Sequence, residues 1–443
     1  MASGAKTKQL DCGDSVDRIS NLPCNLIDLI LKRLPVHDAA RMSILSKTWR
    51  DIWVMHPRLI FDDDFLHLLI SKRFLKKDRE IQLYEISRAI SGILLAHRGP
   101  ILKFCLYIPE DLPLNHYSDT IFWIKHVSNN GVRKLELFSH LLSAYKIPSY
   151  LFSCSKLTHL SLAGCTLTPP PKFEGFCNLI TVSLLDVTIT ADMSFGAQLN
   201  ELDLQYCNGI EHLGCQFKYY INLTLLTIAE CDEVDLQWFE CTRKVEYFVV
   251  IWKGPEKKIM DVDKLFNNMP RICNIHLEGF LFKFMEPGAA IMKKLIPTMQ
   301  ALKFMHLYDV GFYDLVRIQN VLCLIRISSN LQYLHIDLEP KVKSINGMNL
   351  AESRELMVSS VVQYLQSPNL IDMILTKLET VIIRGLVESA ELQFIKLLLA
   401  SSPSLKFMIL SNITTDDPKE QLRISRELMR FRRASTAAEI RWT

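Results

Sequence analysis

Three histidines sit in matching short runs late in the chain: His276 in NIHLE, His306 in FMHLY and His335 in YLHID. Each lies between two apolar residues, so on a β-strand the imidazole and those neighbours point to opposite faces. If the three runs are adjacent strands, the rings form a ladder with rungs about 4.7 Å apart. Phe304 and Tyr333 flank it in one row, and Glu278, Tyr308 and Asp337 in the other. Aromatic and imidazole rings supply contact area at low entropic cost, which suits a recognition patch. His276, Phe304, His306, Tyr308, Tyr333 and His335 are therefore the candidate contacts for a bound protein; ordinary half-exposed strand residues are the competing reading. Three histidines can also bind zinc, but the sequence shows no matching ligand set and no metal is expected. Earlier runs present a blander outward face: His159 with Ser161, Thr181 with Ser183, and the acidic pair Glu201 and Asp203.

No other constellation points to catalysis. The chain has no G-x-x-x-x-G-K-[ST], G-x-G-x-x-G, H-E-x-x-H or G-x-S-x-G, and 16 glycines in 443 residues leave little for a phosphate-cradling loop. Twelve cysteines are scattered with no C-x-x-C spacing. The first residues lack the apolar core of a signal peptide, so a reduced cytoplasmic or nuclear setting is expected, with most cysteines acting as small buried apolar groups. Lys and Arg number 51 against 48 Asp and Glu, a formal net charge of +3. That balance gives no field for nucleic acid or an anionic membrane, and no uncharged apolar run is long enough to span a bilayer. The expectation is a non-catalytic protein with no cofactor.

The elements that position these residues begin after a polar, small-residue stretch, 1–14, expected to be disordered. Within residues 15–64, Pro23 suits the first turn of a helix. Leu26, Ile27, Ile30, Leu31 and Leu34 follow at helical spacing as one apolar face, and Pro35 ends the helix. Asp38 is placed to cap a second helix through Leu45, and Ser46 a third that carries Trp49 and Trp53. Three short helices with this many large apolar residues cannot hide them alone. The surplus packs either on the rest of the chain or into a groove of a separate partner.

The stretch D-R-I-S-N-L-P, L-I-D-L-I-L-K-R-L-P and D-A-A-R-M-S-I-L-S-K-T-W-R resembles the plant F-box closely, over more than thirty positions. Cys24 stands where an acidic residue is common, and Thr48 where a basic one is usual. The resemblance implies docking on a Skp-type adaptor, and through it on cullin and RING subunits. The contacts it implies are Leu22, Pro23, Leu26, Ile27, Ile30, Leu31, Leu34 and Pro35, with Trp49 holding the three helices together.

Residues 65–100 read as two helices and a bend, with a basic cluster at Lys72, Arg73, Lys76 and Lys77 that is either a solvated helix face or an import patch. Gly99-Pro100 punctuates, and Ile101 to Leu106 reads as a first strand. From Val132 onward the pattern apolar-x-x-apolar-x-apolar recurs, most cleanly in LTHLSLAGCTL and LNELDLQYCNGI. These match the leucine-rich-repeat signature. Further copies start at Val132, Leu179, Leu223, Val245, Ile272, Leu302, Leu331, Leu378 and Leu405. No single copy can bury its apolar edge, so copies must stack, with the second and third apolar positions in the core and the residues between them outward. Cys165, Cys207 and Cys231 fall where each repeat turns away from its strand. The uneven spacing implies irregular loops and helices, including one or two helices between Pro340 and Lys377. An irregular α/β domain is the alternative fold.

The arm is assigned to residues 101–377. Residues 378–443 carry FIKLLLASSPSLKFMIL and ELMRFRRASTAAEI, which resemble the FBD module of plant F-box proteins and also suit a cap on the end of the repeats. The fold class is α+β: a three-helix F-box followed by an α/β leucine-rich-repeat solenoid with irregular repeats. The resemblance implies a substrate-recognition subunit of an SCF-type ubiquitin ligase, with the arm binding an unknown target protein. A thioester cysteine or RING scaffold is needed for ubiquitin transfer itself, and neither is present. A leucine-rich scaffold that directs no ubiquitination, or a ligand-dependent co-receptor, are the rival functions.

Overall fold

Prolines set both ends of the first helix. Pro23 (φ −55°, ψ 141°) stands just outside α1 (Cys24–Leu31), and its carbonyl accepts from the N–H groups of Leu26 and Ile27. Pro35 bars helix at the residue before it, so α1 stops at Leu31 and Pro35 itself leads into α2 (Val36–Met42). Asp38, expected to cap that second helix, instead lies in its first turn and accepts from Arg41 at 3.1 Å. Ser46 behaves as expected: its Oγ accepts from the Trp49 N–H at the start of α3 (Lys47–Trp53).

This computed structural model describes Ile19 and residues 22–73, 79–108, 117–139, 145–214, 217–232, 238, 242–252, 266, 269–283, 295–296, 298–339, 350–370, 372–385, 387–411 and 418–442. The expected disorder of residues 1–14, two of the four basic-cluster residues (Lys76 and Lys77) and the start of the insert after Glu339 lie outside these residues. The chain divides into two compact units between residues 138 and 139.

In the first unit Trp49 is fully buried and its indole N–H donates to the Ile19 carbonyl at 3.0 Å. After the three helices comes β1 (Arg58–Phe61), a strand absent from the sequence reading, which pairs in parallel with β2 (Lys103–Ile108). Four residues give too short a run for alternation to be legible. Between them lie α4 (Asp63–Arg73) and α5 (Arg79–Ala96), the two expected connector helices. Phe61 meets Phe65 and Phe104 edge-on, at centroid distances of 5.1 and 5.8 Å. The unit continues through α6 (Tyr117–Asn129), whose buried Trp123 donates to Ser91 at 2.9 Å, to β3 (Lys134–Ser139) at the division.

The second unit is built from parallel strands: β4 (Tyr145–Lys146), β5 (His159–Leu167), β6 (Thr181–Ile189), β7 (Glu201–Gln205), β8 (Leu225–Cys231), β9 (Tyr247–Trp252), β10 (Asn274–Glu278), β11 (Phe304–Val310), β12 (Tyr333–Leu338), β13 (Thr380–Arg384), β14 (Phe407–Ser411) and β15 (Glu439–Trp442). Each pairs with the next along the chain from β4 on. One row of Cα partners runs through His159, Thr181, Glu201, Leu225, Tyr247, Asn274, Phe304, Tyr333, Thr380, Phe407 and Glu439. The apolar pair of each repeat (Leu160 and Leu162, Leu202 and Leu204, Ile275 and Leu277, Val381 and Ile383) is buried, as the stacking argument requires.

At the end of several strands one residue takes a positive φ: Gly164, Asp186, Tyr206, Glu230 and Asp309. Each precedes a buried residue: Cys165, Val187, Cys207, Cys231 and Val310 respectively. The left-handed residue swings the chain so that the next side chain re-enters the core. The Cys207 backbone N–H donates to the Cys231 sulfur at 3.4 Å, and burial pushes the Cys165 thiol up to about 12, so Cys165 is an inert packing group. Wider spacings are filled by helices: α7 (Glu211–Gly214), α8 (Leu315–Ile327), α9 (Leu350–Leu365), α10 (Ser389–Ser401) and α11 (Pro418–Arg430). Asp314 caps α8 by accepting from Arg317 N–H, and Glu388 with Glu391 forms a capping box on α10. The C-terminal segment from residue 378 supplies β13 to β15, which extend the same sheet rather than starting a new one.

Candidate protein-docking surfaces

The apolar face expected on α1 divides in two. Ile27 and Leu31 are fully buried in the unit. They hold the helix down, which corrects their assignment as adaptor contacts: a side chain with no surface cannot meet a partner. Leu22, Ile30 and Leu34 are half-buried, and Pro23, Leu26 and Pro35 are exposed. Leu26 is 42% exposed and Leu29 52%, while Ile44 (85%) and Leu45 (48%) stand out just after α2. Leu29, Ile44 and Leu45 were missed because Leu29 lies off the face that the spacing defines, and the loop after Met42 was read as helix. Such side chains cost free energy in water and gain it when covered, at about 25 cal/mol per Å².

The second surface is the histidine ladder. His276 is the Cα partner of His306, and His306 of His335, so the predicted rungs are in register across β10, β11 and β12. Ring centroids are 5.2 Å apart for His276 and His306, and 3.8 Å for His306 and His335, whose rings stack within 8° of parallel. Phe304 and Tyr333 are partners in the neighbouring row, with Tyr333 exposed. The other row departs from the prediction. The β11–β12 register shifts after Leu307, where Asp309 takes φ 50°, so Tyr308 does not align with Asp337. Tyr308 folds over the ladder instead, its ring 3.9 Å from that of His306 and its hydroxyl 3.2 Å from Nδ1 of His276.

The half-exposed strand residues of the sequence reading prove largely covered, since His306 and His335 are only 7% and 8% exposed. Asp337, two residues beyond His335 on the same strand face, reaches both rings. His306 Nε2 donates to its Oδ2 at 2.8 Å, and His335 Nε2 lies 3.3 Å from its Oδ1. Burial would raise the Asp337 pKa, but the hydrogen bond from His306 and the close approach of both imidazoles outweigh it and hold the carboxyl well below its usual range. Burial lowers His306, with Asp337 opposing, and burial aided by His306 and His335 pushes His276 down to about 4. At neutral pH His276 and His306 are therefore neutral beside one carboxylate. Arg384, the Cα partner of Asp337 on β13, and Tyr247, whose ring is 5.2 Å from His276, complete the cluster. Both escaped the sequence reading because their repeats were not aligned to the ladder.

Comparison with known proteins bears on the F-box and on the repeats. The F-box domain family matches residues 19–61, and the family described as At1g61320/AtMIF1, LRR domain, matches residues 93–250. The chain is 28% identical to F-box/FBD/LRR-repeat protein At1g13570 of Arabidopsis thaliana, over 97% of this chain and 99% of that protein. F-box/LRR-repeat protein 13 of the same plant is 25% identical over 96% of each chain. A shorter match, 30% identical over 44% of each chain, is to F-box/FBD/LRR-repeat protein At5g56420. An F-box match in the first unit, a leucine-rich-repeat match over residues 93–250 and relatives matched end to end make this chain similar over nearly its whole length to plant F-box/leucine-rich-repeat proteins.

Proposed function

We propose that the chain is the substrate-recognition subunit of an SCF-type ubiquitin ligase. Its F-box docks on a Skp-type adaptor, and its strand face captures a target protein for ubiquitin transfer by the cullin and RING partners. The observation that carries the reading is the set of exposed apolar side chains on the F-box helices and the loop that follows, led by Ile44, Leu29, Leu45 and Leu26. A surface this apolar on so small a unit suits a partner's hydrophobic groove. The contribution of such a subunit is proximity, holding target lysines near the charged ubiquitin carrier. The chain itself supplies no chemistry, and the cytoplasm or nucleus is its proposed place of action.

The test is co-purification with a Skp-type adaptor, beside a Leu26→Glu, Ile44→Glu double variant. Both positions are exposed, so the variant should keep its thermal unfolding temperature and lose adaptor binding at least 100-fold. Failure of the unaltered chain to bind would leave an interaction scaffold as the better reading. Target capture is tested separately, through Tyr333→Ala: its exposed ring should matter to a target and leave adaptor binding unchanged.

A further inference from the structure

The cluster beneath the recognition face has the composition and spacing of a metal site. We propose that His306, His335 and Asp337 bind a divalent transition-metal ion of the zinc class, with at least one coordination position left open. One ring nitrogen of each histidine and a carboxylate oxygen of Asp337 all lie within 4.8 Å of one another. His306 Nε2 lies 2.8 Å from Oδ2 of Asp337, and His335 Nε2 lies 3.3 Å from its Oδ1. Zinc–nitrogen and zinc–oxygen bonds near 2.1 Å place tetrahedral ligand atoms roughly 3.4 Å apart, so small side-chain rotations bring the set onto one ion.

A second observation points the same way. His335 Nε2 and Asp337 Oδ1 are buried, face each other and have no hydrogen-bond partner among the described residues. Leaving a buried nitrogen and a buried carboxylate oxygen unsatisfied is costly, and a shared cation satisfies both. The ligand set also suits the ion. Two imidazoles and one carboxylate favour zinc, cobalt, nickel or ferrous iron over calcium or magnesium, which prefer oxygen ligands throughout. Coordination through Nε2 uses the His306 tautomer that carries its proton on Nδ1, so the hydrogen bond to Asp337 is exchanged for the shared ion.

The strands explain why the site is ordered before any ion arrives. Adjacent parallel strands hold His306 and His335 in register, and Asp337 follows His335 by two residues on the same face. Tyr308, its ring 3.9 Å from that of His306, closes one side of the cluster. Arg384 stands next to Asp337 on the following strand and adds a positive charge that weakens cation binding. Its replacement by a neutral residue should therefore tighten the site.

The test uses the full-length chain, co-purified with its adaptor if needed, stripped of metal and titrated with Co²⁺ and Zn²⁺ against Mg²⁺ as the control. One equivalent of Co²⁺ should bind with visible d–d absorption and no thiolate charge-transfer band, since no cysteine is a ligand. Zn²⁺ should displace it and raise the thermal unfolding temperature, while Mg²⁺ should do neither. Asp337→Asn, which preserves shape, and His335→Ala should each weaken Co²⁺ binding by 10-fold or more. Arg384→Gln should strengthen it by about 10-fold, the scale on which residues around a metal's ligands act. Absence of stoichiometric binding, a thiolate band, or binding unchanged in Asp337→Asn would overturn the proposal. If His335→Ala fails to fold, Asp337→Asn and Arg384→Gln still decide it. The outcome is independent of adaptor binding, so this inference and the ligase reading stand or fall separately.

Discussion

Burial separates neighbours on one helix turn into different roles. Ile27 and Leu26 are adjacent, yet Ile27 has no exposed surface and Leu26 is 42% exposed. Ile27→Ala removes buried methylenes and leaves a cavity, so it should cost about 2–4 kcal/mol in chemical denaturation. Leu26→Ala should move stability by less than about 0.5 kcal/mol and weaken adaptor binding instead. Histidines give the molecule an acid sensitivity of definite sign. His56 in the first unit and His276 in the second are both lowered to about 4, chiefly by burial. His276 faces Tyr247, His306, Tyr308 and, beyond them, His335. With an unfolded value of 6.5, each group binds a proton more readily in the unfolded chain. The stability tied to their neutrality is complete above pH 6.5 and is lost as pH falls from there towards 4. Denaturation midpoints should thus drop between pH 7 and pH 5, and His56→Gln should flatten that slope. An unchanged slope in the variant would remove His56 as a cause.

At the level of elements, the repeat turn makes the sharpest demand. Gly164 has φ +64°, and a Cβ there would lie 1.9 Å from the Ser139 carbonyl oxygen. Gly164→Ala should therefore destabilise the arm by about 3 kcal/mol or more, through strain and backbone displacement together. Asp186 takes the same conformation one repeat later; Asp186→Gly should be neutral or slightly stabilising, measured by the same thermal unfolding comparison. The strands were legible in the sequence because a fixed apolar pair at two-residue spacing marks each core-facing edge. The register of the three histidines followed from that pair alone. The position of Tyr308 did not, because a register shift is a local backbone event with no period, signalled only by Asp309 entering the left-handed region. Asp337 was visible as a row member but not as the partner of two imidazoles, since its reach depends on side-chain direction. On α1 the periodicity found the apolar residues and could not say which half the unit keeps for itself. That division depends on which side of α1 packs against α3, whose Trp49 and Trp53 are buried.

The second unit behaves as a stack in which each strand's exposed edge is covered by the next, so its stability is a nearest-neighbour sum and its weak point is wherever the stack is cut. The segment from residue 378 onward contributes β13, β14 and β15, and α10 places Phe394 edge-on against Phe312 at 5.2 Å. A chain ending at residue 377 would leave β12 as an open edge, with its backbone groups unpaired, and would uncover Phe312 and the apolar side of α9. It would also take away Arg384, the residue beside Asp337 at the edge of the histidine ladder. Cutting at residue 411 is a milder change. It removes α11 and the short, largely exposed β15, leaving β14 as the new edge with α10 still in place. The two truncations should therefore differ sharply in size-exclusion profile. The chain ending at 377 should elute as aggregate, while the one ending at 411 should remain monomeric with a thermal unfolding temperature lowered by a few degrees. Equal behaviour of the two would mean that the last strands do not close the stack, and that residues 378–443 act as a separate module rather than as its final repeats.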